Sequence, residues 1–137
     1  MSEAAFPVGH KFADTAPALL DAARVAAYAD ASGDRNPIHL DEDAARAAGL
    51  PGTIVHGMLM MGHFERALRG WLPGTDIRSL QIRFLRPLAV GARMTISGRV
   101  AKLLPGEVPE MIVRLTVQDD AGQSVSIGDA TVRAGNI

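Results

Sequence analysis

Polar residues crowd into Ser32-Gly33-Asp34-Arg35-Asn36-Pro37-Ile38-His39, a stretch that sets a carboxylate and an imidazole five positions apart. Such a pair has what proton transfer to and from water requires. Asp34 is an anionic acceptor, and His39, with an unperturbed pKa of about 6.5, can accept or donate near neutrality. Asn36 offers both a donor and an acceptor with which to orient the water. On a regular helix, positions five apart point to different faces, so the two groups could not share one water there. Pro37 prevents that helix: it fixes its own backbone angle and pushes Asn36 toward extended geometry, so the loop can turn Asp34 and His39 to a common point. The same string also reads as a plain turn, with Asp34 and Asn36 bonded to their own backbone.

Other residues invite chemistry less directly. His56 and His63 are seven apart, on one helix face, and together with His39 suggest a metal site. Two turns, about 10 Å, separate them, too far for one ion, so no metal is expected. His56 reads as a buried, hydrogen-bonded structural histidine beside a helix start, and His10 as a surface residue. Met58, Met60 and Met61 are able to line a pocket for varied acyl chains, although core packing explains them equally well. Arg83, Arg86, Arg93 and Lys102 could meet phosphates, yet solvated strand faces account for most such residues.

The elements that must position these groups fall into two halves. The first is helices and loops, after a Pro- and Gly-interrupted segment around residues 6–20 that has room for one irregular strand. Asp21 caps a helix carrying Val25, Tyr28 and Ala29 at helical spacing, and Gly33 stops it. A short helix runs from Asp41 to Gly49, its acidic first residues suiting the positive helix end. The strongest helix starts at His56 or Gly57 and reaches about Leu72 before the Pro73-Gly74 breaker. Met61, Phe64, Leu68 and Trp71 form its apolar stripe, and its first turns are apolar all round, which predicts burial on every side.

The second half alternates with period two, the mark of half-buried antiparallel strands. Leu80, Ile82 and Phe84 oppose Ser79, Gln81 and Arg83; Met94, Ile96 and Val100 oppose Arg93, Thr95 and Arg99. Met111, Val113, Leu115 and Val117 share a face, and Asp120-Ala121-Gly122 supplies a turn. In the last strand Val125 and Ile127 point inward, and the shift to Ala130 and Val132 predicts a bulge after Gly128. One strand, helices, then four strands is an α+β order with a long helix against a mostly antiparallel sheet. So small a domain leaves part of the sheet in need of cover, which predicts a homodimer.

Composition narrows the classes. The chain has 137 residues, 47% hydrophobic and 21% charged, with 14 Gly and 8 Pro, which suits one ordered domain over residues 1–137. Its 14 basic and 15 acidic residues are interspersed, so no basic stripe serves a nucleic acid. The absence of cysteine excludes disulfides and thiolate chemistry and agrees with a reducing compartment. No basic start with an apolar stretch occupies residues 1–11, and no run approaches the ~20 apolar residues of a membrane span, so a cytoplasmic protein without a membrane partner is expected.

From Tyr28 to Ala45 the sequence is similar to the signature of the MaoC-like, or (R)-specific (type-2), enoyl-CoA hydratases, through Tyr28, Ser32-Gly33-Asp34, Asn36-Pro37-Ile38-His39 and Ala45. Ile54-Val55-His56-Gly57-Met58 resembles the start of that family's central helix. The likeness is detailed over residues 22–72, looser over 79–133, and shows no departure at the catalytic positions. It implies a single hotdog domain, a long central helix wrapped by a curved antiparallel sheet and assembled as a dimer. It implies that Asp34 and His39 activate the water, that Asn36 supports them, and that the Gly57 backbone N–H meets the thioester carbonyl. That last role has a physical rationale, because a helix's first N–H groups lack internal partners and carry positive potential.

The leading expectation is hydration of a trans-2-enoyl thioester to the (R)-3-hydroxyacyl thioester. Coenzyme A or a carrier-protein phosphopantetheine arm would enter only as part of the substrate, and no separate cofactor is expected. One alternative is 3-hydroxyacyl-[acyl-carrier-protein] dehydration in fatty-acid or polyketide synthesis, with a heterodimer of two hotdog subunits conceivable. Others are a non-catalytic acyl-thioester binding module and thioester hydrolysis. Chain length and physiological direction are not legible.

Overall fold

The computed structural model describes residues 6–133, so the reading of residues 1–11 extends beyond the described residues at 1–5. The elements are β1 (Ala18–Leu19), α1 (Ala22–Ser32), a 3-10 turn (Pro37–His39), α2 (Glu42–Ala47), α3 (Gly57–Trp71), β2 (Asp76–Phe84), β3 (Arg93–Leu104), β4 (Glu110–Gln118) and β5 (Ser124–Arg133). Their order is the expected one. Asp21 caps α1 by accepting the Arg24 N–H at 2.9 Å, and Gly33 ends it in the left-handed region at φ 80°, where a glycine escapes the Cβ penalty. Asp41 caps α2 by accepting the N–H groups of Asp43 and Ala44.

The five strands form one antiparallel sheet in the order β1-β3-β4-β5-β2. The N-terminal segment extends the β1 side irregularly, with N–H groups of Gly9, Phe12 and Thr15 bonded to the carbonyls of Val100, Gly98 and Ile96. The sheet curls around α3, whose Met60, Phe64, Ala67 and Leu68 meet Met94, Ile96, Val100, Val113, Leu115, Val117, Ala130 and Val132 in one core. Burying a side chain such as Phe64 or Leu68 is worth about 1.5–3 kcal/mol, so the helix is held mainly by this contact. The architecture is an α+β hotdog fold.

Several expectations need correction. The first turn of α3 is not buried on every side: Met58 is 61% exposed and Gly62 is exposed. Met60 takes the core position expected of Met61, which is only half-buried, because the sheet touches the helix on one face and not around it. Phe84 shares a face with Leu80 and Ile82, but at the strand end it is 48% exposed. His10 is half-buried rather than superficial, its ring 4.7 Å from that of Phe6 and 4.9 Å from that of Phe12.

The bulge expected after Gly128 is also misplaced. β5 keeps one alternation from Ser126 through Gly128 and Ala130 to Val132, all buried, and the register shift lies earlier, between Val117 and Gln118 of β4, leaving Val125 as the extra residue. Two of the inward positions carry no apolar side chain, which broke the pattern. At Ser126 the hydroxyl donates to Met60 Sδ at 3.2 Å; at Gly128 the space is filled by the Phe64 ring.

No helix among the described residues is long and apolar enough to cross a membrane. β2 lies at one end of the sheet order, so its outer edge is open among the described residues.

A Cβ at Gly128 would stand 2.5 Å from Phe64 Cε2 and 2.6 Å from the Gln81 carbonyl oxygen. That carbonyl belongs to the strand paired with β5, so it cannot retreat without breaking the ladder. Gly128→Ala should therefore destabilise the fold by about 1–3 kcal/mol, read as a lower midpoint in thermal unfolding followed by circular dichroism. An unchanged midpoint would refute the packing of Phe64 on β5.

Candidate active site

The loop after α1 is built from its own side chains. Beyond Gly33, the Asp34 N–H donates to Ser32 Oγ at 3.1 Å, the Asn36 N–H to Asp34 Oδ1 at 3.2 Å, and the Ile38 N–H to Asn36 Oδ1 at 3.2 Å. Pro37 then opens the 3-10 turn that ends on His39. The turn reading of this string is therefore observed, and it leaves groups of Asp34 and Asn36 unspent. One Asp34 oxygen shapes the loop, and the other makes no hydrogen bond to the described residues, on an exposed side chain. Asn36 spends its carbonyl oxygen on the turn, which leaves its NH2 group to serve as a donor.

His39 is 9% exposed, and its Nδ1 lies 2.7 Å from the Ile54 carbonyl oxygen. A carbonyl only accepts, so Nδ1 carries the hydrogen, and a neutral His39 presents a lone pair at Nε2. His56 ends the chain's approach to α3 and is 1% exposed. Its Nε2–H donates to the Asp34 carbonyl at 3.0 Å. The ring stacks on that of His39 with centroids 3.8 Å apart and planes inclined by 23°, and the Tyr28 ring meets it edge-on at 4.8 Å. A carboxylate oxygen of Asp34 and one ring nitrogen from each of His39 and His56 lie within 4.8 Å of one another.

The structure therefore brings Asp34 and His39 together as the sequence suggested, and adds His56. The reading of His56 as buried and hydrogen-bonded holds, but its bond goes to the Asp34 loop and its face to the His39 imidazole. Its place directly before Gly57 at the helix start was the available signal; the seven-residue spacing to His63 drew attention the other way. His56 Nδ1 is buried without a hydrogen-bond partner. An unsatisfied buried acceptor costs about 1–3 kcal/mol, a cost that the contacts with His39 and Tyr28 help to offset.

The cluster of Asp34, His39 and His56, and not His56 with His63, is the set with metal-ligand chemistry. Each imidazole already donates one N–H to a backbone carbonyl, which fixes its tautomer. Of the remaining nitrogens, His39 Nε2 belongs to the half-open side and His56 Nδ1 is buried. This arrangement suits a proton shuttle beside an orienting group.

Gly57 is the first residue of α3. Its N–H belongs to the group at a helix start that no intrahelical carbonyl can satisfy, where the helix potential is positive. A Cβ there would lie 2.6 Å from Phe84 Cζ, so glycine is what lets the Phe84 ring rest on the helix end. The large apolar side chains left exposed nearby each adjoin a residue already named: Leu40 follows His39, Met58 follows Gly57, and Leu85 follows Phe84, at 44%, 61% and 46% exposure. Of the methionines proposed for an acyl pocket, Met60 belongs to the core and Met58 to this rim. Arg83, Arg86, Arg93 and Lys102 are exposed, as solvated strand and loop positions would be.

The MaoC like domain family matches residues 3–120. An (R)-specific enoyl-CoA hydratase of Aeromonas caviae is 34% identical over 115 residues, covering 82% of this chain and 84% of that protein. A mitochondrial 3-hydroxyacyl-[acyl-carrier-protein] dehydratase of Arabidopsis thaliana is 39% identical over 67 residues, where the match spans 49% of this chain and only 40% of that protein. Among solved structures, the unliganded R-hydratase PhaJ1 of Pseudomonas aeruginosa superposes with a TM-score of 0.84 at 30% identity, over 96% of this chain and 84% of that one. With the motif, the fold and the family match in agreement, the chain belongs to the MaoC-like domain family.

Proposed function

We propose that the protein is a hydratase that adds water across the double bond of a trans-2-enoyl thioester to give the (R)-3-hydroxyacyl thioester. The observation that carries this reading is the meeting of the Asp34 carboxylate with His39, whose Nδ1–H is tied to Ile54 so that Nε2 is left as a proton acceptor. Water held by Asp34 gives one proton to His39 Nε2 as its oxygen bonds to C3. The π electrons of C2=C3 move toward the thioester, and negative charge grows on its oxygen. The Gly57 N–H at the start of α3 meets that charge, a kind of donor whose loss typically costs about 3–4 kcal/mol. The imidazolium then returns the proton to C2, so one water supplies both hydroxyl and hydrogen, and Asp34 stays anionic throughout. His56 positions the pair, one end of its ring on the Asp34 backbone and its face on His39.

No resident metal or cofactor enters this scheme. The sequence-based expectation of a cytoplasmic setting is kept. The reverse reaction on a carrier-protein thioester is the second reading, favoured by the 39% identical stretch shared with the Arabidopsis dehydratase. A binding module without catalysis is disfavoured by the complete Asp34, Asn36 and His39 set, and hydrolysis has no feature of the site in its favour. The open edge of β2 and the apolar rim of Leu40, Met58, Phe84 and Leu85 favour a second copy of the chain, or a second hotdog subunit, as the cover that completes the substrate channel.

Asp34→Asn and His39→Gln should each slow the loss of crotonyl-CoA absorbance by about 100- to 10,000-fold while leaving the circular dichroism spectrum intact; a variant as fast as the parent protein would sink the assignment. His56→Ala should lower kcat by about 100-fold through misplacement alone and leave KM for crotonyl-CoA within a factor of a few, whereas an equal loss through KM would make His56 a substrate contact. In solution, light scattering at micromolar concentration should give twice the 14.5 kDa of one chain, and a monomer of full activity would contradict the proposed cover.

A further inference from the structure

A cavity lies away from Asp34 and His39, where residues 15–19 and the start of α1 face α3 and β3. Tyr28 of α1 touches His56 before α3 begins, and one turn earlier in α1 Arg24 lines the same cavity as His63 of α3. The groove there has a volume of about 580 Å³. Its floor is apolar, with Ala67, Trp71, Met94 and Ile96, and its polar residues are Thr15, whose hydroxyl accepts the Ile96 N–H, and Asp21, Arg24, His63 and Arg66. A volume in this range suits a ligand of mononucleotide size.

The charge in the groove is unbalanced. Neither Arg24 nor Arg66 has a carboxylate within ion-pair distance among the described residues, although other arginines on the surface do. Asp21, the acidic residue at the rim, already accepts the Arg24 backbone N–H. Arg24 sits in the first turn of α1, at the positive end of the helix, where a cation is disfavoured and an anion favoured. Arg66 lies near enough to His63 to add to the same field, and burial, then Arg24, then Arg66 hold the His63 imidazole below its ordinary pKa. Two guanidinium groups without partners, converging on an apolar trough, are matched to a compact oxyanion on an apolar body.

We propose that this groove binds a phosphate ester of mononucleotide size, its phosphate taken by Arg24 and Arg66 and its body laid against Trp71 and Ile96. Two sources share that chemistry: the nucleotide end of a coenzyme A thioester, and a separate phosphorylated metabolite. The groove begins about 10 Å along α3 from His56, so a substrate anchored at Gly57 has a flexible arm's length to reach it. Only the choice between the two sources rests on the hydratase reading; occupancy of the groove does not.

Trp71 is the only tryptophan of the chain and lines the groove, so its fluorescence reports on the groove and on the ring's contacts with Phe12 and Ala13. Titration of the full-length protein with adenosine 3′,5′-bisphosphate should change that signal saturably. In an Arg24→Gln, Arg66→Gln double variant the affinity should fall by about tenfold or more, with unchanged unfolding as the check on folding, since both side chains are exposed. Arg66→Lys alone, which keeps the charge, should lose less. If the KM for crotonyl-CoA rises in parallel in the double variant, the phosphates are the substrate's own; if it does not move while bisphosphate binding is lost, the ligand is a separate ester. No saturable change up to millimolar bisphosphate, or equal affinity in parent and double variant, overturns the proposal.

Discussion

The structure of this site depends on one hydrogen bond between a side chain at a helix start and a carbonyl in a loop, from His56 Nε2 to Asp34, at 3.0 Å. The loop has no regular structure of its own beyond three side-chain turns and three residues of 3-10 helix. Such turns fix local angles but do not fix the loop against the rest of the chain. His56 does so, and because its ring also stacks on His39, a single buried side chain sets the carboxylate's backbone and the imidazole's plane together. The bond from His39 to Ile54, two residues before His56, closes the arrangement from the other side. A loop that must hold two groups to within fractions of an ångström gains this precision from the rigid helix it abuts.

That helix is rigid because of what the sheet places beneath it. Phe64 fits only where β5 has no side chain, at Gly128, and the gap is bounded by the carbonyl of Gln81 on β2. Ser126 faces the same helix and meets Met60. These small inward residues let α3 lie close to the strands, so its first N–H groups emerge at a fixed place beside the loop. The packing of the core and the position of Gly57 are thus one constraint seen at two ends of α3.

How much of this could be read from the sequence follows from the physics of each signal. Caps and stops act over three or four residues and were legible: Asp21, Gly33, Asp41 and the Pro73-Gly74 breaker all stand where their helices begin or end. The alternation of β3 and β4 was legible because their inward residues are large and apolar apart from Gly98, whose space Trp71 takes. β5 was misread at Gly128 because an inward position filled by another element's side chain carries no apolar letter of its own. The exposure of Met58 was misread for a related reason, since an apolar run records that a surface will be covered, not whether its own chain covers it. Asp34 and His39 could be paired from the proline between them, whereas the part played by His56 depends on a contact across 22 positions that no local spacing encodes.

Two kinds of surface chemistry divide along α3. At its start the free N–H groups, the dyad and a rim of Leu40, Met58, Phe84 and Leu85 gather positive backbone potential and uncovered apolar surface. Farther along, on the side facing α1, fixed positive charge from Arg24 and Arg66 lies over an apolar floor. A charge that appears only in a transition state calls for the first environment, because a preorganised dipole favours it without holding the ground state. A permanent anion needs the second, because full charges attract it before any reaction begins. Separating fixed charge from backbone dipole along one helix lets each be strong without weakening the other.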